Sequence, residues 1–286
     1  MTDMIRAKNL SKNYGKFKAL DNINLTIGKG KIVGSIGPNG AGKTTLLKAM
    51  LGLTSYDGEL EVMAINPFKE RAKLMEDICF IADVAVLPDW IKVNEVLDFV
   101  EQTHPKFSRA KAEAFLKKTK LGVKQKVKSM SKGMVVQLHL SLVMSIEAKL
   151  LVLDEPTLGL DIIYRKEFYD NLLNDYFDHE RTIIITTHQV EEVEHILTDL
   201  LFIKDGRIVL DASMDDLTSE YFEVMVSNEN YDDAMSFKPL QSRKVFGKHV
   251  MLFKHHNRGE LEAIGEVQRP GVADLFVAML KEEEPS

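Results

Sequence analysis

The feature that most constrains this chain is a glycine-rich stretch, GPNGAGKTT, which runs from Gly37 to Thr45. Its glycines, Gly37, Gly40 and Gly42, lie close together between an apolar run and a leucine-rich segment. Glycine adopts backbone conformations that a Cβ atom would obstruct. The stretch therefore predicts a tight loop between a strand and a helix that begins at the end of the loop.

The same stretch matches the pattern G-x-x-x-x-G-K-[ST]. Backbone N–H groups of such a loop turn inward around phosphate oxygens, and the helix N-terminus adds a favourable dipole. Lys43 is expected to lie along the β- and γ-phosphates, and the Thr44 hydroxyl to ligate Mg²⁺. The sequence thus predicts a site for a nucleoside triphosphate. The residues expected to bind it are Gly37, Pro38, Asn39, Gly40, Ala41, Gly42, Lys43, Thr44 and Thr45.

A second candidate lies in KLLVLDEP, where an apolar strand ends in Asp154 and Glu155. The carboxyl ends of parallel strands share one edge of a sheet, which is where nucleotide sites of this architecture lie. We expect Asp154 to hold Mg²⁺, through water, and Glu155 to orient or deprotonate an attacking water. The alternative is that this pair only opens a turn before Pro156.

The rest of the chain alternates strand and helix signals. KLLVLD, RTIIITT and LLFIKDG predict strands of a parallel sheet with crossover helices, preceded by short strands at residues 4–10, 22–27, 31–36 and 59–65. Residues from about 90 to 145 have helical periodicity and predict a helical insertion. YFEVMVS, KHVMLFKH and GVADLFVAML predict a small α+β extension over residues 214–286, whose role stays open.

Charge and cysteine content limit the partners and the cellular compartment that we expect for this chain. The net charge of −6 gives no electrostatic footprint for nucleic acid, and none is expected as a partner. A single cysteine, Cys79, favours a reducing compartment. No window is apolar enough for a signal core or a membrane span, so membrane association is expected to be peripheral.

Four further motifs occur together with the phosphate loop and the carboxylate pair, in a fixed order along the chain. NYGKFKAL contains Tyr14, SKGM contains Ser131 and Gly133, LGLD contains Asp161, and TTH contains His188. Together they resemble the ATP-binding subunits of ABC (ATP-binding cassette) transporters over about residues 4–211. Each motif is short and unspecific alone, whereas the ordered set is specific.

The resemblance implies an α/β fold of the P-loop NTPase type. It consists of an ABC ATPase core with an antiparallel β subdomain in residues 1–213, a helical insertion and the small C-terminal appendage. Glu155, His188 and Lys43 would be catalytic, Tyr14 would stack on adenine, and Asp161 would contact the second subunit. Ser131 and Gly133 would bind the γ-phosphate held by the opposite chain.

One phosphate loop and one SKGM motif in a chain suggest two chains arranged head to tail, each completing the other's site. The second chain would be a copy or a paralogous ATPase subunit. The resemblance further implies an integral membrane permease as partner and a peripheral position at the cytoplasmic face of the membrane. The SKGM form is similar to the bacitracin and multidrug subset, which implies export.

One residue departs from the family pattern at a metal position. The family usually has glutamine at the end of the strand ICFIAD, where this chain has Asp83. Aspartate also offers a hard oxygen to Mg²⁺, but it is one methylene shorter. We expect Asp83 to contact the metal through water.

Other interpretations stay open. Tyr14 is alternatively a strand-edge tyrosine, and His188 a cap on a helix beginning at QVEEVEHI. A regulatory cassette bound to a soluble protein is the main alternative function. A phosphotransferase fits less well because kinases lack SKGM and TTH, and a DNA-repair cassette would need long heptad insertions that this chain lacks.

Overall fold

A computed structural model describes residues 3–82, 87–119, 121–158 and 160–282. The chain divides into two compact units, one formed by residues 1–197 and 203–208 and the other by residues 198–202 and 209–286. Among the helices that the model describes, none is long and apolar enough to cross a membrane.

The strands are named in chain order. They are β1 (Asp3–Tyr14), β2 (Phe17–Gly28), β3 (Ile32–Ile36), β4 (Asp57–Val62), β5 (Ile78–Ile81), β6 (Leu150–Asp154), β7 (Thr182–Thr186), β8 (Asp199–Lys204), β9 (Arg207–Ser213), β10 (Tyr221–Val226), β11 (Gln241–Val245), β12 (Lys248–Lys254) and β13 (Gly265–Gln268).

The α-helices are named in the same way. They are α1 (Lys43–Met50), α2 (Arg71–Leu74), α3 (Val93–Thr103), α4 (Arg109–Lys117), α5 (Lys132–Val143), α6 (Ile162–Asn171), α7 (Met214–Glu220), α8 (Tyr231–Ser236), α9 (Arg258–Glu262) and α10 (Val272–Glu282).

A central sheet has the strand order β5-β6-β7-β3-β8-β9. Strands β5, β6, β7 and β3 run parallel to one another, and Asp154 at the end of β6 pairs with Thr186 at the end of β7. Ile183, Ile184 and Ile185 are buried, as expected for strands covered on both faces. The parallel sheet predicted from the sequence is confirmed. It brings the ends of β3, β6 and β7 to one edge.

A separate antiparallel sheet has the order β2-β1-β4. The sequence predicted shorter strands here, because polar residues interrupt the apolar pattern. Strands β1 and β2 instead run 12 residues each and pair through several register shifts. Such irregularities let a strand continue past residues that do not fit the alternation.

Helices α3, α4 and α5 form the predicted helical insertion. Their apolar faces share a core that includes Val93, Leu97, Ala112, Leu116 and Leu138. Isolated antiparallel bridges also join residue 92 to residue 126 and residue 107 to residue 146.

The second unit contains an antiparallel sheet of order β11-β12-β10-β13. Val224, Met251, Phe253 and Leu261 are fully buried in its core. The strands and the closing helix expected in this region are present. The sequence did not predict β11 and β13, which lie at the two edges of the sheet.

The prediction of a helix that begins at QVEEVEHI is wrong. The structure has two 3₁₀ turns there, Val190–Glu192 and Glu194–Ile196. The buried residues Val190, Val193 and Ile196 are spaced by three. This spacing matches the three residues per turn of a 3₁₀ helix better than the 3.6 of an α-helix.

Candidate functional site

The glycine-rich loop joins β3 to α1, as the sequence predicted. A Cβ atom on Gly37 would lie 2.1 Å from the carbonyl oxygen of Ile203, and one on Gly42 would lie 2.5 Å from that of Ala19. Gly42 also has a φ of 111°, which side chains of L-residues disfavour. Close packing and backbone conformation therefore both require glycine at these positions.

The loop is held at its inner side and open at its outer side. Ala41 is buried; its N–H donates to the Pro38 carbonyl at 3.1 Å, and its own carbonyl accepts from the Gly206 N–H at 2.9 Å. Pro38, Asn39 and Gly40 are exposed. The exposed part is where an anion can approach the loop backbone.

Lys43 is buried beneath this loop. Its Nζ donates to the carbonyl oxygens of Gly37 at 2.6 Å and Pro38 at 3.0 Å. Burial lowers the pKa of Lys43, while the charges of Glu155 and Asp154 act in the opposite direction. The ammonium group therefore binds the loop, and the charges of the two carboxylates that the sequence singled out act on it.

Thr44 and Asp154 are brought into contact, although 110 residues separate them. The Thr44 hydroxyl donates to Asp154 Oδ2 at 3.2 Å, and the hydroxyl of Thr186 donates to Asp154 Oδ1. Asp154 is buried, and Thr45 lies in the first turn of α1 beside Thr44. These contacts place a hydroxyl and a carboxylate oxygen side by side.

This donor set fits Mg²⁺. The ion prefers oxygen ligands, and proteins usually hold it with one or two groups while phosphates and waters complete the octahedron. In the described part of the chain, no three His, Cys, Asp or Glu residues form a cluster that would hold a metal by themselves. A metal shared with a nucleotide suits such a site. Asp83, the third predicted metal contact, lies outside the described residues.

Glu155 has a φ of 50°, in the left-handed region that non-glycine residues rarely adopt. Its N–H donates to two acceptors on Thr186, the carbonyl oxygen at 3.1 Å and the hydroxyl oxygen at 3.2 Å. Its carboxylate Oε2 lies 2.9 Å from His188 Nδ1. The turn thus places the carboxylate of Glu155 against the imidazole of His188, and both can orient water.

Tyr14 is the last residue of β1, and 48% of its surface is exposed. The Nζ of Lys12 lies 5.1 Å from the centroid of its ring. An exposed aromatic face can stack on a planar base. Strand β1 is the central strand of its sheet, so Tyr14 lies at the end of a central strand and not on an edge strand.

The SKGM motif begins α5. The Ser131 hydroxyl caps the helix by accepting from the Met134 N–H at 3.3 Å. Gly133 is the second residue of α5. A Cβ atom on Gly133 would meet Leu160 only at 3.8 Å, which is ordinary van der Waals contact. Packing within the chain therefore does not require glycine at this position.

Asp161 caps α6 by accepting from the N–H groups of Ile163 and Tyr164, each at 3.2 Å. Thr44, Asp154, Glu155 and His188 form one connected group with Thr186. Ser131 and Asp161 instead bind the N–H groups of their own helices.

Sequence reasoning missed two residues. Thr186 contacts both Asp154 and Glu155, and its place at the end of the strand RTIIITT was a signal that could have found it. Arg165 contacts Leu160 and Gln189, and no local pattern marks it.

Comparison with protein families gives one match. A family model described as ABC transporter matches residues 20–158 of this chain.

Curated relatives extend the match. The lantibiotic transport ATP-binding protein SrtF of Streptococcus pyogenes is 34% identical over 230 residues, which are 79% of this chain and 97% of that protein. The daunorubicin resistance ATP-binding protein DrrA3 of Streptomyces coeruleorubidus is 30% identical over 73% of this chain and 68% of its own length. The bacitracin transport ATP-binding protein BcrA of Bacillus licheniformis is 29% identical over 80% of this chain and 77% of its own length.

A solved structure of an ATP-binding subunit of an ABC transporter superposes on this chain with a TM-score of 0.68. The two sequences are 23% identical, and the superposition covers 76% of this chain and 92% of the solved chain. The likeness confirms the fold class predicted from the sequence.

Proposed function

This chain belongs to the ABC transporter family of ATP-binding proteins, and from that premise we propose that it drives export through a membrane permease by binding and hydrolysing ATP. The observation that carries the proposal is the connected group of Thr44, Asp154, Glu155 and His188 beside the phosphate loop.

The side chains divide the work of hydrolysis. Lys43 would contact the β- and γ-phosphates in place of the loop carbonyls that it now binds. Glu155 would orient and deprotonate the attacking water, and His188 would contact the γ-phosphate and hold the Glu155 carboxylate. Tyr14 would stack on adenine. The backbone of residues 37–45 would enclose the phosphates.

Thr44 and Asp154 are the residues that would hold Mg²⁺, with Asp83 at the same metal through water. The ion would neutralise charge that develops on the transferred phosphoryl group. Thr186, which binds both Asp154 and the Glu155 N–H, would fix the position of the metal-binding carboxylate relative to the residue that orients water.

Two chains would complete the site. Ser131 and Gly133 at the start of α5 present a hydroxyl and backbone N–H groups at a helix N-terminus, which favours an anion. In a head-to-tail dimer they would contact the γ-phosphate on the second chain, and Asp161 would lie at the contact between the chains. The second chain would be a copy of this one or a paralogous ATPase subunit.

We further propose the two domains that the sequence predicts. Residues 1–213 would form the ATP-binding domain, with the helical insertion at about residues 90–145 docking on the permease. Residues 214–286 would form a small α+β extension. A boundary at 213 keeps β8 and β9 whole.

The names of the relatives support export and a peripheral location. The relatives are named for lantibiotic transport, bacitracin transport and daunorubicin resistance. These names favour a peripheral ATPase on the cytoplasmic face that powers an exporter. They do not favour the regulatory cassette as an alternative.

The test is Glu155→Gln in the full-length chain. The substitution removes the base while keeping the size of the side chain, so ATP binding should persist while hydrolysis falls roughly 10²-fold or more. Glu147→Gln is the matched control, because Glu147 precedes β6 whereas Glu155 follows it, and Glu147 forms an exposed ion pair with Lys111. Turnover in Glu155→Gln equal to that in the control would refute the mechanism.

The same variant tests the partner. Tagged Glu155→Gln protein, trapped with ATP and extracted from membranes in mild detergent, should copurify with a stoichiometric polytopic membrane protein. Recovery with a soluble partner instead would favour the regulatory cassette.

A further inference from the structure

Arg165, on the first turn of α6, contacts two segments that approach the candidate site from different parts of the chain. Its Nε donates to the carbonyl of Leu160 at 2.7 Å. Its terminal nitrogen NH1 donates to Gln189 Oε1 at 2.5 Å and to a carboxylate oxygen of Glu192. The guanidinium therefore joins the residue before Asp161 to the residue after His188.

Helix α6 also holds the segment after Glu155 at a second point. The hydroxyl groups of Tyr169 and Thr157 lie 3.1 Å apart, and both residues are buried. Thr157 follows Glu155 by two residues, and Tyr169 lies one helical turn after Arg165. The helix thus fixes the segment at Thr157 and at Leu160.

A series of contacts connects Arg165 to the residues on either side of His188. Gln189, which Arg165 binds, also donates its N–H to the Thr187 hydroxyl at 3.0 Å. His188 lies between these two residues and contacts Glu155. A shift of Leu160 therefore reaches His188 through one side chain, that of Arg165.

Glu192 holds the guanidinium in place. The side chains of Arg165 and Glu192 are 21% and 26% exposed, so water screens this ion pair only in part. The second carboxylate oxygen of Glu192, Oε2, is buried and has no hydrogen-bond partner among the described residues. Removing Arg165 would leave this carboxylate without that cation.

We propose that Arg165 is a positioning residue for hydrolysis, which couples the segment at Leu160 and Asp161 to the orientation of His188 on Glu155. This inference rests on the proposed function. It does not place Arg165 in contact with the nucleotide. When a second subunit contacts Asp161, the fork of Arg165 transmits the displacement to Gln189 and hence to His188.

A merely structural role predicts something different, and the chain offers a matched control. Arg181 is 22% exposed, donates to the Tyr176 carbonyl at 2.7 Å and pairs with Asp178, and neither of these partners belongs to the candidate site. Arg165→Met and Arg181→Met each remove a half-buried guanidinium that binds a backbone carbonyl and a carboxylate, whereas only that of Arg165 also binds Gln189. Loss of stability alone would affect both variants alike.

The experiment measures kcat and KM for ATP, with thermal unfolding, on full-length protein carrying each substitution. Arg165→Met should lower kcat about tenfold, since small displacements of catalytic groups have large effects on rate, while KM stays within about twofold. Arg181→Met should change kcat by less than about twofold at a similar loss of thermal stability. Arg165→Lys keeps the charge but not the fork, so it should recover only part of kcat.

A double variant separates charge from geometry and remains informative if Arg165→Met folds poorly. Arg165→Met/Glu192→Gln removes the unpaired carboxylate, so its unfolding temperature should return toward that of the unsubstituted protein. Its kcat should stay low, because the link from Leu160 to Gln189 is still absent. Recovery of kcat together with unfolding temperature would overturn the inference, as would equal kcat in Arg165→Met and Arg181→Met.

Glu155→Gln is measured in parallel. If that variant hydrolyses ATP as fast as the unsubstituted protein, the proposed function fails, and the inference fails with it. If Glu155→Gln is inactive and the Arg165 variants behave like Arg181→Met, only the inference about Arg165 is refuted.

Discussion

Replacing Gly133 with alanine should raise stability and lower activity at the same time. Gly133 is the second residue of α5, where a Cβ atom would meet its nearest neighbour, Leu160, at 3.8 Å. In a helix interior alanine is favoured over glycine by about 0.8–1.0 kcal/mol, and in the first turn we take about half of that. For a chain of this size, a gain of about 0.5 kcal/mol raises the unfolding temperature by about 1–2 °C.

Activity should change in the opposite direction. If Gly133 faces the nucleotide on a second chain, a methyl group there would obstruct the γ-phosphate, and hydrolysis should fall about tenfold or more. ATP binding to the separate chain should be unchanged, because Lys43 and the phosphate loop are untouched. The assays are thermal unfolding, nucleotide binding at low protein concentration, and hydrolysis as a function of protein concentration.

Gly122→Ala is the control. Its added Cβ atom would meet only Gln125, at 3.9 Å, in the same helical insertion but outside the SKGM motif. Both stability and hydrolysis should stay close to those of the unsubstituted protein. Undiminished hydrolysis in Gly133→Ala would refute the placement of Gly133 at the nucleotide of a second chain. Loss of stability in that variant would refute the packing argument.

Two further predictions concern Tyr14 and Cys79. Tyr14→Ala should raise KM for ATP about tenfold at a nearly unchanged kcat, since stacking of a base on an aromatic ring contributes about 1–3 kcal/mol; Tyr14→Phe should bind normally, and a similar defect in both variants would count against stacking. Burial raises the pKa of the Cys79 thiol to about 12, so the reactive thiolate is scarce until the pH approaches that value. Alkylation at pH 8 should therefore be at least about 100-fold slower in the native protein than in urea, and rapid native labelling would show that β5 opens.

The glycine-rich loop was predictable because its residues are consecutive in the chain. Residues 37–45 carry the glycines, the lysine and the hydroxyls in one stretch, and the steric need for glycine is local. The structure adds that Gly37 and Gly42 also approach the carbonyls of Ile203 and Ala19, which no sequence pattern indicates. These contacts depend on segments distant in the chain.

Buried parallel strands were predictable for a similar reason. Ile183, Ile184 and Ile185 form an apolar run that fits a strand covered on both faces. Edge strands such as β11, with mostly exposed residues, are formed by hydrogen bonds to a neighbouring strand and carry no apolar pattern. The segment after His188 was misjudged because apolar residues spaced by three were interpreted as an α-helix, whereas tertiary packing selects 3₁₀ turns.

The sequence by itself determined the fold class and marked the glycine-rich loop, Asp154, Glu155 and His188 as candidates, because each lies in a short motif whose order along the chain is specific. Only the tertiary structure decided that Thr186 binds both carboxylate residues and that Arg165 links Leu160 to Gln189. Those contacts join β6 to β7 and α6 to the segment after β7. Their partners are set by strand register and side-chain reach in three dimensions, for which adjacent residues in the chain provide no signal.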